Sequence, residues 1–260
     1  MPEIIKPNVF SFSSLFVEPL FGDNPMGVAT GLIWNYEGSN YLVTNWHVMT
    51  GLHPQTQQPI DTHGTRPEKL RIWLHLENDI GAWETLDVSL FDNQGRPLWK
   101  EHKEFRSKVD VAIIKLSLPT KFRTFPINEI PIEDIRSEVG GDVFIIGFPL
   151  GITSDRKFPI WKKGSIASEP EINLEGLPKL LIDSMTREGM SGSPVILQFV
   201  GLHAEDANNI QPTDWIGMAR KFIGVYSGRL PGQDEFEAHL GIVWKAEAIE
   251  DILKSGVRPD

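Results

Sequence analysis

REGMSGSPVI, residues 187–196, places Ser191 between glycines at 189 and 192, just ahead of an apolar run. An acyl-transfer nucleophile needs an exposed hydroxyl beside two backbone N–H groups that can receive a developing oxyanion. Glycine at 189 permits a backbone orientation that turns its N–H toward a substrate, which a Cβ would hinder. Such a serine also needs a base, and the base needs a group to orient it. Two segments upstream offer them. TNWHV (44–48) puts His47 at the end of an apolar strand, and VDVAII (109–114) puts Asp110 at the start of another.

The surrounding chain reads as β-structure. Short apolar runs are separated by turn residues throughout, with 23 Gly and 19 Pro spread along 260 residues. GVATGLIW (27–34) and YLVTNWHV (41–48) flank the turn-rich NYEGSN and read as a hairpin. LRIWLHLE (70–77) alternates Leu70, Ile72, Leu74 and Leu76 with amphipathic neighbours, the pattern of a half-buried strand. ETLDVSLF (84–91) and RPLW (96–99) read as a second hairpin, followed by DVAIIKL (110–116). Residues 117–137 carry three prolines and no regular period, so they read as a connection. Beyond it, runs at 142–151, 162–168, 180–185, 193–200, 220–228 and 239–246 form a second set of strands. Only the end looks helical: AEAIEDILKSG (246–256) puts Ala248, Ile249, Ile252 and Leu253 on one face and stops at Gly256. The expectation is an all-β chain of two six-stranded antiparallel β-barrels with a C-terminal α-helix over 246–255. The first barrel spans 1–118, a linker 119–135, and the second barrel 136–260.

Composition removes several classes of function. With 25 Lys and Arg against 35 Asp and Glu, the formal charge is −10, which disfavours nucleic acid and anionic membranes as partners. No apolar run approaches the ~18 residues of a membrane-spanning helix. The absence of cysteine excludes disulfides, thiolate catalysis and Cys-ligated metal sites. The first residues lack the basic and apolar regions of a signal peptide, so the sequence reads as cytoplasmic. His53, His63 and Asp61 in one polar loop match no metal spacing, and His203 with Glu205 and Asp206 reads as a solvated loop. The eight tryptophans are scattered, as barrel filling would be.

TNWHV, DVAIIKL and GMSGSPV, in that order, resemble the trypsin-like serine peptidases of the chymotrypsin fold. The likeness is nearest to the cysteine-poor bacterial branch with HtrA and glutamyl-endopeptidase relatives. It extends over nearly the whole chain, with GFPLG (147–151) and KGSI (163–166) in the second barrel and GVYSG (224–228) as the substrate-binding strand. The α/β-hydrolases do not fit: Ser193 replaces the second glycine of their G-x-S-x-G elbow, a strand follows, and the order of the three residues is reversed. The resemblance implies that His47 is the general base, Asp110 its orienter and Ser191 the nucleophile, with the N–H groups of Gly189 and Ser191 as oxyanion hole. It further implies a specificity pocket built from Met185, Thr186 and Arg187, from Tyr226, Ser227 and Gly228, and from Gly241 and Val243. Met185 at the pocket base cannot pair a cation, so cleavage after Arg or Lys is not expected. Met190 stands where the secreted digestive members carry an aspartate that pairs with a freed N-terminal ammonium. The implied activity is that of a serine endopeptidase on protein or peptide substrates, without cofactor or metal. Stand-alone peptidases of this kind often act on one dedicated partner protein. The rival reading is a regulatory or binding module on the same fold, catalytically silent or switched on by a partner.

Overall fold

The computed structural model describes residues 7–259 apart from 134, 155–156, 204–210, 212–213 and 231–238. Fifteen strands and three α-helices follow one another along the described chain. The first half contains α1 (Val9–Ser13), β1 (Ser14–Phe21), β2 (Asn24–Pro25), β3 (Ala29–Tyr36), β4 (Ser39–Thr44), α2 (Trp46–Thr50), β5 (Lys69–Leu76), β6 (Asp79–Ser89), β7 (Trp99–Glu101), β8 (Ala112–Lys115) and β9 (Phe122–Arg123). The second contains β10 (Asp142–Gly147), β11 (Ile160–Ile166), β12 (Lys179–Asp183), β13 (Pro194–His203), β14 (Trp215–Arg229), β15 (Leu240–Lys245) and α3 (Ala246–Ser255).

The second half is the expected closed six-stranded barrel, in the order β10-β11-β12-β15-β14-β13. The first half departs from expectation. Its sheet has nine strands along the path β6-β5-β1-β3-β4-β8-β7, with β2 on β1 and β9 on β5, and hydrogen bonding does not close it into a barrel. The reading of 84–99 as a hairpin holds only at its tip, where Asp92 accepts from Gln94 and Arg96. Beyond that, β7 pairs with β8 instead of β6. The connection is less irregular than its prolines suggest, because Phe122 and Arg123 add β9 to the edge of β5. Two short helices were not legible in the sequence, α1 and α2; five residues are too few for a helical period to show. Of the solvated loop read at His203, Glu205 and Asp206, Glu205 and Asp206 lie outside the described residues. No described helix is long and apolar enough to cross a membrane.

The apolar runs are continuous for a packing reason. Leu42 of β4, Ile33 of β3, and Ala112 and Ile114 of β8 face a core inside the first sheet. Their neighbours Val43, Leu32 and Ile113 face the opposite way, into a core shared by both halves. The second barrel repeats this. Val143, Ile145, Val195 and Leu197 fill its interior, while Ile146 and Ile196 turn to the shared core. Strands buried on both faces have no polar positions to alternate with. The apolar stripe of α3 (Ala248, Ile249, Ile252, Leu253) packs into that same shared core.

His75 of β5 is 1% exposed, and neither ring nitrogen has a hydrogen-bond partner among the described residues. The rings of Phe12, Trp83, Phe125 and Phe158 surround it, Trp83 at 3.6 Å between centroids. This burial pushes its pKa down from 6.5 to about 4. The unfolded chain therefore takes up a proton that the folded one refuses. Stability should be full above pH 6.5, fall between pH 6.5 and 4, and level off below, losing on the order of 3 kcal/mol from this group. Urea unfolding from pH 7 to 4 checks this: His75→Phe, which keeps a ring in the cage, should lose that component of the slope.

Candidate active site

His47 sits one residue into α2, directly after β4 and not on the strand itself. The helix is anchored by buried Trp46, whose indole N–H donates to the Glu101 carboxylate at 2.6 Å. It ends at Gly51 in a left-handed conformation, whose N–H donates to the His47 carbonyl. Asp110 lies between Val109 and Val111, both fully buried in the shared core. Its side chain is held by two donors. The His47 backbone N–H bonds Oδ1 at 2.9 Å, and His47 Nδ1 donates to Oδ2 at 2.7 Å. The Asp110 carbonyl accepts from the Asn45 side-chain amide at 2.7 Å. With Nδ1–H committed to a carboxylate, Nε2 is the free acceptor of the ring.

Ser191 and Gly189 line one cleft with His47, a cavity of about 690 Å³. Its loop is pinned from both sides. Met190 is fully buried in the core of the second barrel, and the Gly192 N–H donates to the Tyr226 carbonyl at 2.8 Å. From the first sheet, Thr30 of β3 reaches across. Its N–H bonds the Ser191 carbonyl at 2.8 Å, and its Oγ1 donates to the Gly189 carbonyl at 2.8 Å. The Glu188 carbonyl accepts from Leu150 N–H at 2.7 Å. Because a trans peptide points its C=O and N–H in opposite directions, the Gly189 N–H is turned away from Leu150. Neither it nor the Ser191 N–H finds an acceptor among the described residues. Leu150 holds this bond from a left-handed conformation (φ 54°), a strained state for a residue with a side chain. Gly189 has φ 88°, and a Cβ there would lie 2.2 Å from the Phe148 carbonyl oxygen.

The chain matches the sequence profile of the trypsin-like peptidase domain over residues 29–201. It belongs to that family. The trypsin-like peptidase finds no match among curated protein sequences. Its fold is similar to that of a serine endoprotease from Yersinia pestis, with a TM-score of 0.54 at 15% identity over 96% of this chain and 67% of the other. It is also similar to the Rv3671c protease in its inactive form (TM-score 0.51, 16% identity, 95% and 91% of the two chains). The active form of that protease, from M. tuberculosis, gives a TM-score of 0.50 at 17% identity over 96% and 84% of the two chains.

The residues expected to form the peptidase's specificity pocket are not all available to a substrate. Ser227 and Gly228 line a second cavity of about 740 Å³, which His47 and Asp110 also line. Tyr226, Thr186 and Val243 are instead buried at 2%, 1% and 0% exposure. The Tyr226 hydroxyl shares a short hydrogen bond with Thr186 Oγ1, and burial raises its pKa. Its ring lies over Gly241, where a Cβ would come within 2.5 Å. Met185, expected at the pocket base, is exposed, as is Arg187. An aromatic ring thus fills the space that the sequence reading left open. Of the histidines set aside above, His63 is exposed beside Asp61 at 3.8 Å, and His203 stacks on Trp215 at 3.8 Å.

Thr30 and Asn45 are the residues that sequence reading missed. Asn45 lay inside TNWHV, but nothing in GVATGLI marks Thr30. Thr30→Val keeps the shape and removes the hydroxyl, leaving the buried Gly189 carbonyl unpaired. A loss of about 1–3 kcal/mol in thermal or urea unfolding is expected.

Proposed function

We propose that the peptidase is a serine endopeptidase working through His47, Asp110, Ser191 and an acyl-enzyme. The observation that carries this reading is the His47 ring, fixed by Asp110 at 2.7 Å and lining one cleft with Ser191 and Gly189. Nε2 takes the proton of Ser191 Oγ as that oxygen attacks the scissile carbonyl. The carbonyl oxygen, now an anion, accepts from the N–H groups of Gly189 and Ser191. The imidazolium, stabilised by the Asp110 carboxylate, then protonates the departing amine, and water attacks the resulting ester by the same steps in reverse roles. Met190, sealed in the barrel interior, supports an oxyanion loop ordered by packing.

Ser191→Ala and His47→Ala should each reduce turnover on the order of 10⁴-fold or more with the fold intact by circular dichroism, since the three residues act as a unit. Asp110→Asn should cost slightly less, because the base survives without its orienter. A fluorophosphonate probe should label Ser191; comparable activity in Ser191→Ala would sink the assignment.

The buried Tyr226–Thr186 pair supports a preference for small or apolar residues before the cleaved bond. Among the described residues the charged group acting on Tyr226 is the cation Arg229, and no carboxylate acts on it to receive a desolvated cation. Tyr226→Ala should admit larger apolar residues, read as a shift in kcat/KM across a panel of fluorogenic peptides that differ at that position. Dominant cleavage after Arg or Lys by the unaltered peptidase would refute this account of the pocket.

A further inference from the structure

We infer that the peptidase selects a basic side chain just after the bond it cleaves, through Glu188 with Asp61 across the cleft. The inference rests on the triad reading above, which orients the substrate. His47 lines both cavities, and on the reading of Ser227 and Gly228 as specificity-pocket residues their flank takes the residues before the bond. The leaving half of the substrate therefore lies on the other flank.

That flank has apolar walls and acidic corners. Leu150 and Ile60 line it with more than half of their surface exposed, and Met26 and Val28 complete the apolar side. Glu188 and Asp61 are its two carboxylates, and its described lining contains no Lys or Arg. Glu188 adjoins Gly189, so its side chain starts one residue from the oxyanion donor. Its backbone is tied to Leu150, but its exposed carboxylate has no hydrogen-bond or ion-pair partner among the described residues. Asp61 is held in place by the N–H groups of His63 and Thr65 at 3.0 and 3.1 Å, and the bond from Thr65 is the largest cause of its lowered pKa. Asp61 therefore keeps its charge at neutral pH.

A long basic side chain meets both features. Its aliphatic stem covers Leu150 and Ile60 while its charged end reaches the carboxylates. An acidic side chain in the same place meets like charge. The opposite flank does not mirror this, because its lining sets Lys108, Lys179 and Arg229 beside Asp110 and Glu175, with Lys179 paired to Glu175.

The test uses two kinds of substrate. A peptidyl fluorophore amide with no residues after the bond reports catalysis alone. Matched quenched peptides with Lys, Gln or Glu at the first and second positions after the bond report the leaving side. Each variant's peptide rates are normalised to its own rate on the small amide. We expect kcat/KM for Lys to exceed Gln about fivefold, with Glu lowest, the scale of one exposed charge pair. The spread should shrink in 0.5 M salt. Glu188→Gln should flatten the order and Glu188→Lys reverse it, which a merely structural role would not do. An order independent of charge, or unchanged in Glu188→Lys, overturns this inference while the small amide is still cleaved. No cleavage of the small amide overturns the triad reading and this inference together.

Discussion

Thr30 joins the two halves of the molecule at the point where the chemistry needs them joined. Its backbone N–H and its hydroxyl hold the carbonyls of Ser191 and Gly189, and its own carbonyl accepts from Thr44 Oγ1. Thr44 is the last residue of β4, three positions before His47. One residue of the first sheet thus fixes the Ser191 loop of the second barrel relative to His47. Each of these bonds is buried, so each is costly to leave unmade. Positioning of this kind is what the proposed reaction of Ser191 with His47 requires.

The brace works because the two halves have no freedom to slide. They share a core in which Leu32, Val43 and Ile113 meet Ile146, Ile196 and Val225, with α3 packed into the same cluster. Protein interiors at native density resist small displacements, since a gap forfeits contacts on both of its walls. The N-terminal segment adds two further ties. The Ser14 hydroxyl donates to the Ile146 carbonyl, and the Trp161 indole donates to Ser11 Oγ. The seam carrying the cleft is therefore held by a shared core and by hydrogen bonds, while the cleft walls at Leu150 and Ile60 stay open.

Strain and filling shape that cleft as much as charge does. Leu150 adopts a left-handed backbone where glycine would sit more easily, and so presents an apolar side chain beside Glu188. Tyr226 fills the interior beneath Gly241 and hands its hydroxyl to Thr186. The same two choices leave an open apolar wall in the cleft lined by His47 and Ser191 and a closed interior around Tyr226.

Much of this was legible in the residue order. Apolar runs such as DVFIIGF (142–148) announced strands, and the stripe at 246–255 announced α3, because side-chain period follows backbone geometry. The spacing of glycines around Ser191, with His47 and Asp110 upstream, gave the candidate site for the same local reason. Closure of the first sheet, the partner of β7, and the helix under His47 were decided by pairings between distant strands, which no local period encodes. Thr30 and Tyr226 belong to that second class. A threonine in an apolar strand looks like any other until the fold brings the carbonyl of Gly189 to its hydroxyl across 159 residues of chain. Tyr226 likewise reads as a pocket wall from its position in GVYSG. Only the packing of its ring over Gly241 determines that the wall became the filling, because free volume is a property of the assembled interior and not of the chain.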